Sequence, residues 1–162
     1  MHAMKKSLKC PHCGKSIEIY ANPTPTTDVI IHDPARGIVI INRKNEPHGY
    51  ALPGGFIDEG ETAEHAARRE MLEETGLEVQ LQGLLGVYSH PDRDPRQHTM
   101  SMVFVGKALD PQKLQAGDDA GSASFFQLAA LPSPLVFDHA RIISDFQDYL
   151  AGKRCLAPVE AE

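Results

Sequence analysis

The stretch from Gly55 to Leu77, GFIDEGETAEHAARREMLEETGL, constrains this chain more than any other. It is rich in Ala, Glu, Arg, Leu and Met, which favour a helix, and the spacing predicts one from Thr62 to Thr75. Thr62 is placed to cap its start and Gly76 to end it in a left-handed turn. At about 100° per residue, Glu70, Glu73 and Glu74 fall within an arc of roughly 100° on one face. These acids repel one another and crowd the negative end of the helix dipole, each costing about 0.3–1 kcal/mol. A helix selected for stability alone would carry Lys or Arg there. Ala63 and Ala66 share the face and leave open volume beside the acids. Oxygen ligands around an open volume suit a hard divalent cation, Mg²⁺ or Mn²⁺. A solvated acidic face is the alternative reading of the same run.

Pro53-Gly54-Gly55 precedes the helix as a turn through which backbone can approach a ligand closely. Glu61 at the helix entrance and Arg69 two turns later are placed to pair and brace the loop. Gly55, Glu61, Arg69-Glu70, Glu73-Glu74 and Gly76-Leu77 resemble the Nudix box, GX5EX7REUXEEXGU, with U a bulky aliphatic. Every fixed position outside the U slots matches. Met71 in a U slot is a volume-conserving change.

The resemblance covers about residues 25–152. It implies an α/β fold, an α/β/α sandwich around a mixed, curved sheet, with the box loop and helix as the catalytic platform. It implies Mg²⁺-dependent hydrolysis of a pyrophosphate bond in a nucleoside diphosphate derivative, with metal held by Glu70, Glu73, Glu74 and the Gly55 carbonyl. Arg69 is expected to orient the glutamates and Glu61 to hold the loop. The base is implied to be a box glutamate or an acid of a later loop, Asp118 or Asp119.

With 162 residues, 41% hydrophobic and 23% charged, the chain can build one domain with a proper core. A net charge of −6 gives no basic field for polymeric nucleic acid, so a polyphosphate ligand needs a metal or a few arginines. No apolar run approaches the roughly 18 residues of a membrane span, and MHAMKKSLKC lacks the apolar centre of a signal peptide. Three cysteines without framework spacing fit a reducing compartment, so a cytoplasmic location is expected.

Three stretches are expected: an N-terminal arm over 1–20, a Nudix domain over 21–154 and a C-terminal tail over 155–162. The arm carries Cys10-Pro11-His12-Cys13-Gly14, a turn that lets two thiolates converge on one ion. It looks like the first half of the zinc ribbon that some Nudix hydrolases carry, but no second CxxC follows. The arm therefore either holds no metal or binds Zn²⁺ with ligands from His2, His12 or a second chain; a homodimer would fit the family. After a linker at Asn22–Thr26, strands are expected over Thr27–His32 and Gly37–Asn42, joined by a hairpin turn. Gly37–Ile41 is apolar without alternation, as for a strand covered on both faces. Further strands are expected at Tyr50–Leu52, Glu78–Tyr88 with a break near Gly83, Thr99–Val105 and Ser124–Gln127. Asp138 is placed to cap a final helix whose Ile142, Ile143, Phe146 and Leu150 recur at helical spacing.

Between strands lies SHPDRDPRQH, residues 89–98, too polar and Pro-rich for regular structure. Arg93 and Arg96 can each offer a planar fork to phosphate, or pair with Asp92 and Asp94; Arg43, at a strand end, is a further phosphate contact or a solvated charge. The run RDPRxH, with Pro91 before it, resembles the ADP-ribose pyrophosphatase branch, which implies ADP-ribose as substrate and AMP and ribose 5-phosphate as products. A hydrolase of oxidised nucleoside triphosphates and a non-catalytic ADP-ribose-sensing or partner-docking domain are the alternatives. Adenine is expected to stack on Tyr88 or Phe56.

Overall fold

The computed structural model describes residues 5–117 and 120–159. Lys5–Lys9 (β1) and Ser16–Tyr20 (β2) pair as an antiparallel hairpin whose strand residues are all exposed. Seven strands form one mixed sheet: Thr24–Asp33 (β3), Gly37–Arg43 (β4), Tyr50–Ala51 (β5), Gly54–Phe56 (β6), Val79–Tyr88 (β7), Thr99–Ala108 (β8) and Ala120–Phe126 (β9). β3 runs parallel to β8, from Thr24 opposite Thr99 to Ile31 opposite Gly106. The other pairings are antiparallel: β6 with β3, β7 with β8, and β3, β5 and β9 with β4. The helices are Ala63–Thr75 (α1) and His139–Leu150 (α2).

Side chains of a strand alternate between the two faces, so an unbroken apolar run stays buried only if both faces are covered. That is what the core does. Ile30, Ile38, Ile40, Val103 and Val105 pack with Ile142, Ile143 and Phe146 of α2. Their neighbours Val29, Ile31, Val39 and Phe104 pack with Ala67 and Met71 of α1. Gly37–Ile41 is therefore a strand between two helix layers, as its lack of alternation predicts.

The turn between β3 and β4 is built by Asp33, whose Oδ1 accepts the N–H groups of Ala35 and Arg36 at 2.8 and 3.0 Å. Three strand boundaries differ from the sequence reading by more than one residue. β3 begins at Thr24, inside the expected linker, because it pairs there with Thr99. β8 runs on to Ala108, opposite Val79. β9 starts at Ala120, four residues before Ser124, since the end of β4 pairs with it. In the expected C-terminal tail, Ala157 and Leu84 exchange backbone hydrogen bonds at 2.8 and 2.9 Å, so this segment is tied onto β7. Among the described residues, no helix is long and apolar enough to cross a membrane.

Candidate active site

α1 starts and stops where its caps dictate. Thr62 Oγ1 accepts the His65 N–H at 3.1 Å, and Gly76, at φ 66°, donates to the Leu72 carbonyl at 3.0 Å. Ala66, Ala67, Met71 and Thr75 are buried, which fixes the rotation of the helix and turns its acids toward the β6 turn.

Arg69 organises those acids with all five of its N–H donors. Nε and NH2 hold both Glu61 oxygens at 2.8 and 2.9 Å, NH1 reaches Glu70 at 2.8 Å and Glu73 at 3.1 Å, and NH2 also donates to the Phe56 carbonyl at 3.0 Å. Glu61 and Arg69 thus pair across the loop and the helix, as their spacing suggested. The Arg69 bonds hold the Glu61 carboxyl down at about 2. Glu70 lies over Gly55 so closely that a Cβ there would come 2.4 Å from its carboxylate. Only glycine leaves this approach open.

Glu74 points inward and accepts the Gly54 N–H at 2.9 Å. Burial pushes its carboxyl up to about 7, and the charges of Glu70 and Asp28 add to the effect. Glu70 is raised too, by burial, with Arg69 opposing. Crowded, partly desolvated oxygens short of positive charge are a donor set that a hard divalent cation would relieve, so the residues fit the metal the motif implies. As they stand, no three His, Cys, Asp or Glu side chains among the described residues converge closely enough to hold an ion. The glutamates repel and are drawn apart, toward Arg69 on one side and the Gly54 N–H on the other.

Glu70 and Glu74 line a cavity of about 440 Å³ whose other walls include Phe56, Arg43, Arg96 and Phe137. β4 is out of register with β9 between Asn42 and Arg43, an irregularity of the kind that re-aims a side chain at a sheet edge. Arg43 is held by the carbonyls of Pro47 and Glu46 at 3.1 and 3.4 Å. Its guanidinium and that of Arg96 both lie on the Phe137 ring, 5.1 and 5.4 Å from the centroid. Burial first, then the neighbouring Arg96 charge, lowers the Arg43 pKa. Phe137 itself sits at φ 58°, a backbone conformation that costs a non-glycine residue about 1–3 kcal/mol.

Arg93 and Tyr88 stand differently toward this cavity. Arg93 reaches its wall, yet its guanidinium is committed: to Asp138 at 2.8–3.2 Å, to Thr99 Oγ1 at 2.9 Å and toward Asp28 at 3.7 Å. With three of its five N–H groups given to Asp138 and Thr99, this buried fork braces the site from the cavity wall. For the same reason Asp138, though at the N-cap position of α2, makes no side-chain capping bond. Tyr88 is buried in the α2-side core with its hydroxyl donating to Asp145 at 2.8 Å, while Phe56 lines the cavity. Of these two aromatics, Phe56 alone lines the cavity.

Asp28, Ser101 and His139 are the residues that sequence reasoning missed. Ser101 Oγ donates to Asp28; His139 Nδ1 accepts the Leu52 N–H at 2.9 Å, which leaves Nε2 to carry the proton toward Asp28 3.7 Å away. Asp28 gave one signal, an acid at the entrance of the buried run Val29–Ile31; His139 gave none. Cys10 and Cys13 lie in the β1–β2 turn and do not line the cavity. Asp118 and Asp119, like His2, lie outside the described residues.

The chain matches the family model described as NUDIX domain over residues 22–146. It is 47% identical over 140 residues to an ADP-ribose pyrophosphatase of Methanocaldococcus jannaschii, covering 85% of this chain and 81% of that protein. Among solved structures it resembles a NUDIX hydrolase from Nitrosomonas europaea in fold, with TM-score 0.74, 22% identity and coverage of 95% of this chain and 92% of that one. A MutT/nudix family protein from Enterococcus faecalis superposes with TM-score 0.68 at 26% identity, covering 85% of this chain and 66% of that one. The box geometry and a family match spanning most of the chain lead to one conclusion: the chain belongs to the Nudix family.

Proposed function

We propose that the chain hydrolyses the pyrophosphate bond of nucleoside diphosphate derivatives, ADP-ribose above others, giving AMP and ribose 5-phosphate. The observation that carries this reading is one cavity with Glu70 and Glu74 of the box on one wall and Arg43 and Arg96, stacked on a shared ring, on another. Its volume of about 440 Å³ suits a small ligand. The 47% identity to an ADP-ribose pyrophosphatase supports the choice of substrate.

Glu70, Glu73, Glu74 and the Gly55 carbonyl would hold Mg²⁺ or Mn²⁺. When bound, the ion supplies positive charge that offsets the phosphate oxygens and eases attack at phosphorus. Arg69 sets the positions of Glu70 and Glu73, and Glu61 keeps Arg69 in place. Arg43 and Arg96 present guanidinium groups to phosphate or the distal ribose, and Phe56 offers an aromatic face to adenine. Water adds its oxygen to phosphorus as the bridging P–O bond breaks, and its proton passes to a base. A box glutamate fills that role, or Asp118 or Asp119: Gly117 donates to the Glu74 carbonyl at 2.9 Å, which brings the chain beside α1 just before them.

Zn²⁺ belongs to Cys10 and Cys13, because soft thiolates select it where hard carboxylates do not. The rest of the reading is an N-terminal arm over 1–20, a hydrolase domain over 21–154 and a tail over 155–162, in a cytoplasmic homodimer. A net charge of −6 argues for a small nucleotide rather than a nucleic acid polymer as its ligand.

The test is turnover of ADP-ribose, NADH, diadenosine polyphosphates, a nucleotide sugar and 8-oxo-dGTP with Mg²⁺, beside Glu73→Gln. ADP-ribose should be cleaved fastest and the activity lost in the variant. Faster cleavage of 8-oxo-dGTP would replace the substrate, and ADP-ribose binding without turnover of any compound would overturn the enzyme reading.

A further inference from the structure

The N-terminal hairpin is incomplete in two ways. Its register, from Lys5 opposite Tyr20 to Lys9 opposite Ser16, puts Lys6, Leu8, Ile17 and Ile19 on one face and Lys5, Ser7, Lys9, Ser16, Glu18 and Tyr20 on the other. Leu8, Ile17 and Ile19 are thus gathered on a single side, yet remain 51%, 47% and 41% exposed. An isolated two-stranded hairpin is marginally stable at best in water, and an apolar face stabilises it only when covered.

The second deficit is at its turn. Gly14, at φ 73°, donates to the Cys10 carbonyl at 2.9 Å, and Cys10 donates to the Lys15 carbonyl at 2.8 Å. These bonds fold Cys10 to Cys13 into one tight turn. Two thiolates carried on one such turn can fill half of the tetrahedral shell of a structural zinc site. Among the described residues no third His, Cys, Asp or Glu joins them.

One operation completes both. We propose that two copies of the chain pair about a two-fold axis through their β1–β2 hairpins, apolar face against apolar face, and share one Zn²⁺ between Cys10 and Cys13 of each. A two-fold interface uses the same patch twice, so a half-covered face and a half-filled ligand shell are both made whole by a second copy. Each of the four thiols releases its proton to solvent on binding, leaving a four-thiolate zinc centre with a net charge of −2. Lys9 and Lys15, which flank the cysteines in each copy, supply the complementary charge. The inference rests on the assignment of zinc to the hairpin and is independent of which nucleotide is hydrolysed.

The experiment measures zinc per chain and molar mass on the same sample of the full chain, purified without added metal. It repeats both after treatment with a chelator and for Cys10→Ser and Ile17→Ser. Because the hairpin strands are exposed along their length, these substitutions leave the core of the larger sheet untouched. The expected result is one zinc per two chains and twice the mass of a 17.7 kDa chain. Chelation and Cys10→Ser should each remove zinc and halve the mass, and Ile17→Ser should weaken the dimer at least tenfold. One zinc per chain in a monomer would overturn the pairing while keeping zinc at the hairpin. A chain that takes up no zinc would overturn both, and a dimer that persists after zinc is removed would overturn the shared site.

Discussion

Arg93 and Arg96 stand three residues apart in one loop, and the structure gives them opposite duties. The Arg93 side chain is 4% exposed and bonded to Asp138 and Thr99, with Asp28 3.7 Å away. Replacing it with Ala leaves Asp138 and Asp28, whose side chains are only 17% and 12% exposed, without their cation. Breaking a buried pair from one side costs about 3–5 kcal/mol. At about 2–4 °C per kcal/mol for a chain of this size, Arg93→Ala should melt about 6–20 °C lower. Arg96 is 42% exposed; its ion pair with Asp94 in the same loop is worth about 0–1 kcal/mol, and its place on the Phe137 ring adds about 0.5–1 kcal/mol. Arg96→Ala should therefore melt within about 8 °C of the parent. If Arg96 donates to a substrate phosphate, losing a charge-assisted bond of about 1.5–3 kcal/mol lowers kcat/KM about 10- to 150-fold. The assay is a thermal melt of both variants, with ADP-ribose kinetics run well below the lower midpoint. An Arg93→Ala protein that melts like the parent and loses only substrate affinity would refute the division of labour.

Gly55→Ala tests the close approach of Glu70. The added Cβ would come 2.4 Å from a carboxylate that Arg69 holds, so Glu70 must move, and displacement by about 1 Å should cost about 100-fold in kcat. Unchanged kcat would mean that Glu70 tolerates a different position. A second prediction concerns His139, which burial holds below its ordinary value of 6.5. A depressed pKa contributes stability that is complete above the unfolded value and is lost as pH falls through 6.5 toward the folded value. Denaturant midpoints should fall between pH 8 and pH 5 in the parent and fall less in His139→Asn, which keeps an acceptor for the Leu52 N–H. Equal slopes would sink this assignment.

What the sequence made legible was local. The caps of α1, the Asp33–Gly37 turn and the Glu61–Arg69 brace each depend on residues within a few turns of one another, and their chemistry reads directly from spacing. The floor of the site was illegible because it is assembled from Asp28, Arg93, Ser101 and Asp138-His139, on four separate segments. No periodicity announces such a junction. Arg93 illustrates the limit: sequence supplies a donor fork but not Asp138 and Thr99, which take three of its five N–H groups. β7 illustrates another. β7 slips register against β8 between Leu81 and Gly83 and again between Leu84 and Gly86. Each slip adds a residue and reverses the alternation, so after the first one Leu84 stays with Val79 and Leu81 on the α1 side and Leu85 turns to the α2 side.

The two-sided burial of β4 bears on how the chain avoids misfolding. In a strand with one wet face, a one-residue slip throws its apolar set into water and is rejected by that alone. Ile38, Val39, Ile40 and Ile41 would remain apolar on either side after such a slip, so burial discriminates weakly between alignments. The discrimination falls instead to the strand's first residue. Gly37, at φ 95°, lies where a Cβ would come 2.0 Å from the Phe126 carbonyl oxygen. A shifted alignment would bring Ile38 or Arg36 against that carbonyl, and neither fits. The glycine acts as an alignment key, excluding the neighbouring pairings of β4 with β9 that an all-apolar strand would otherwise accept.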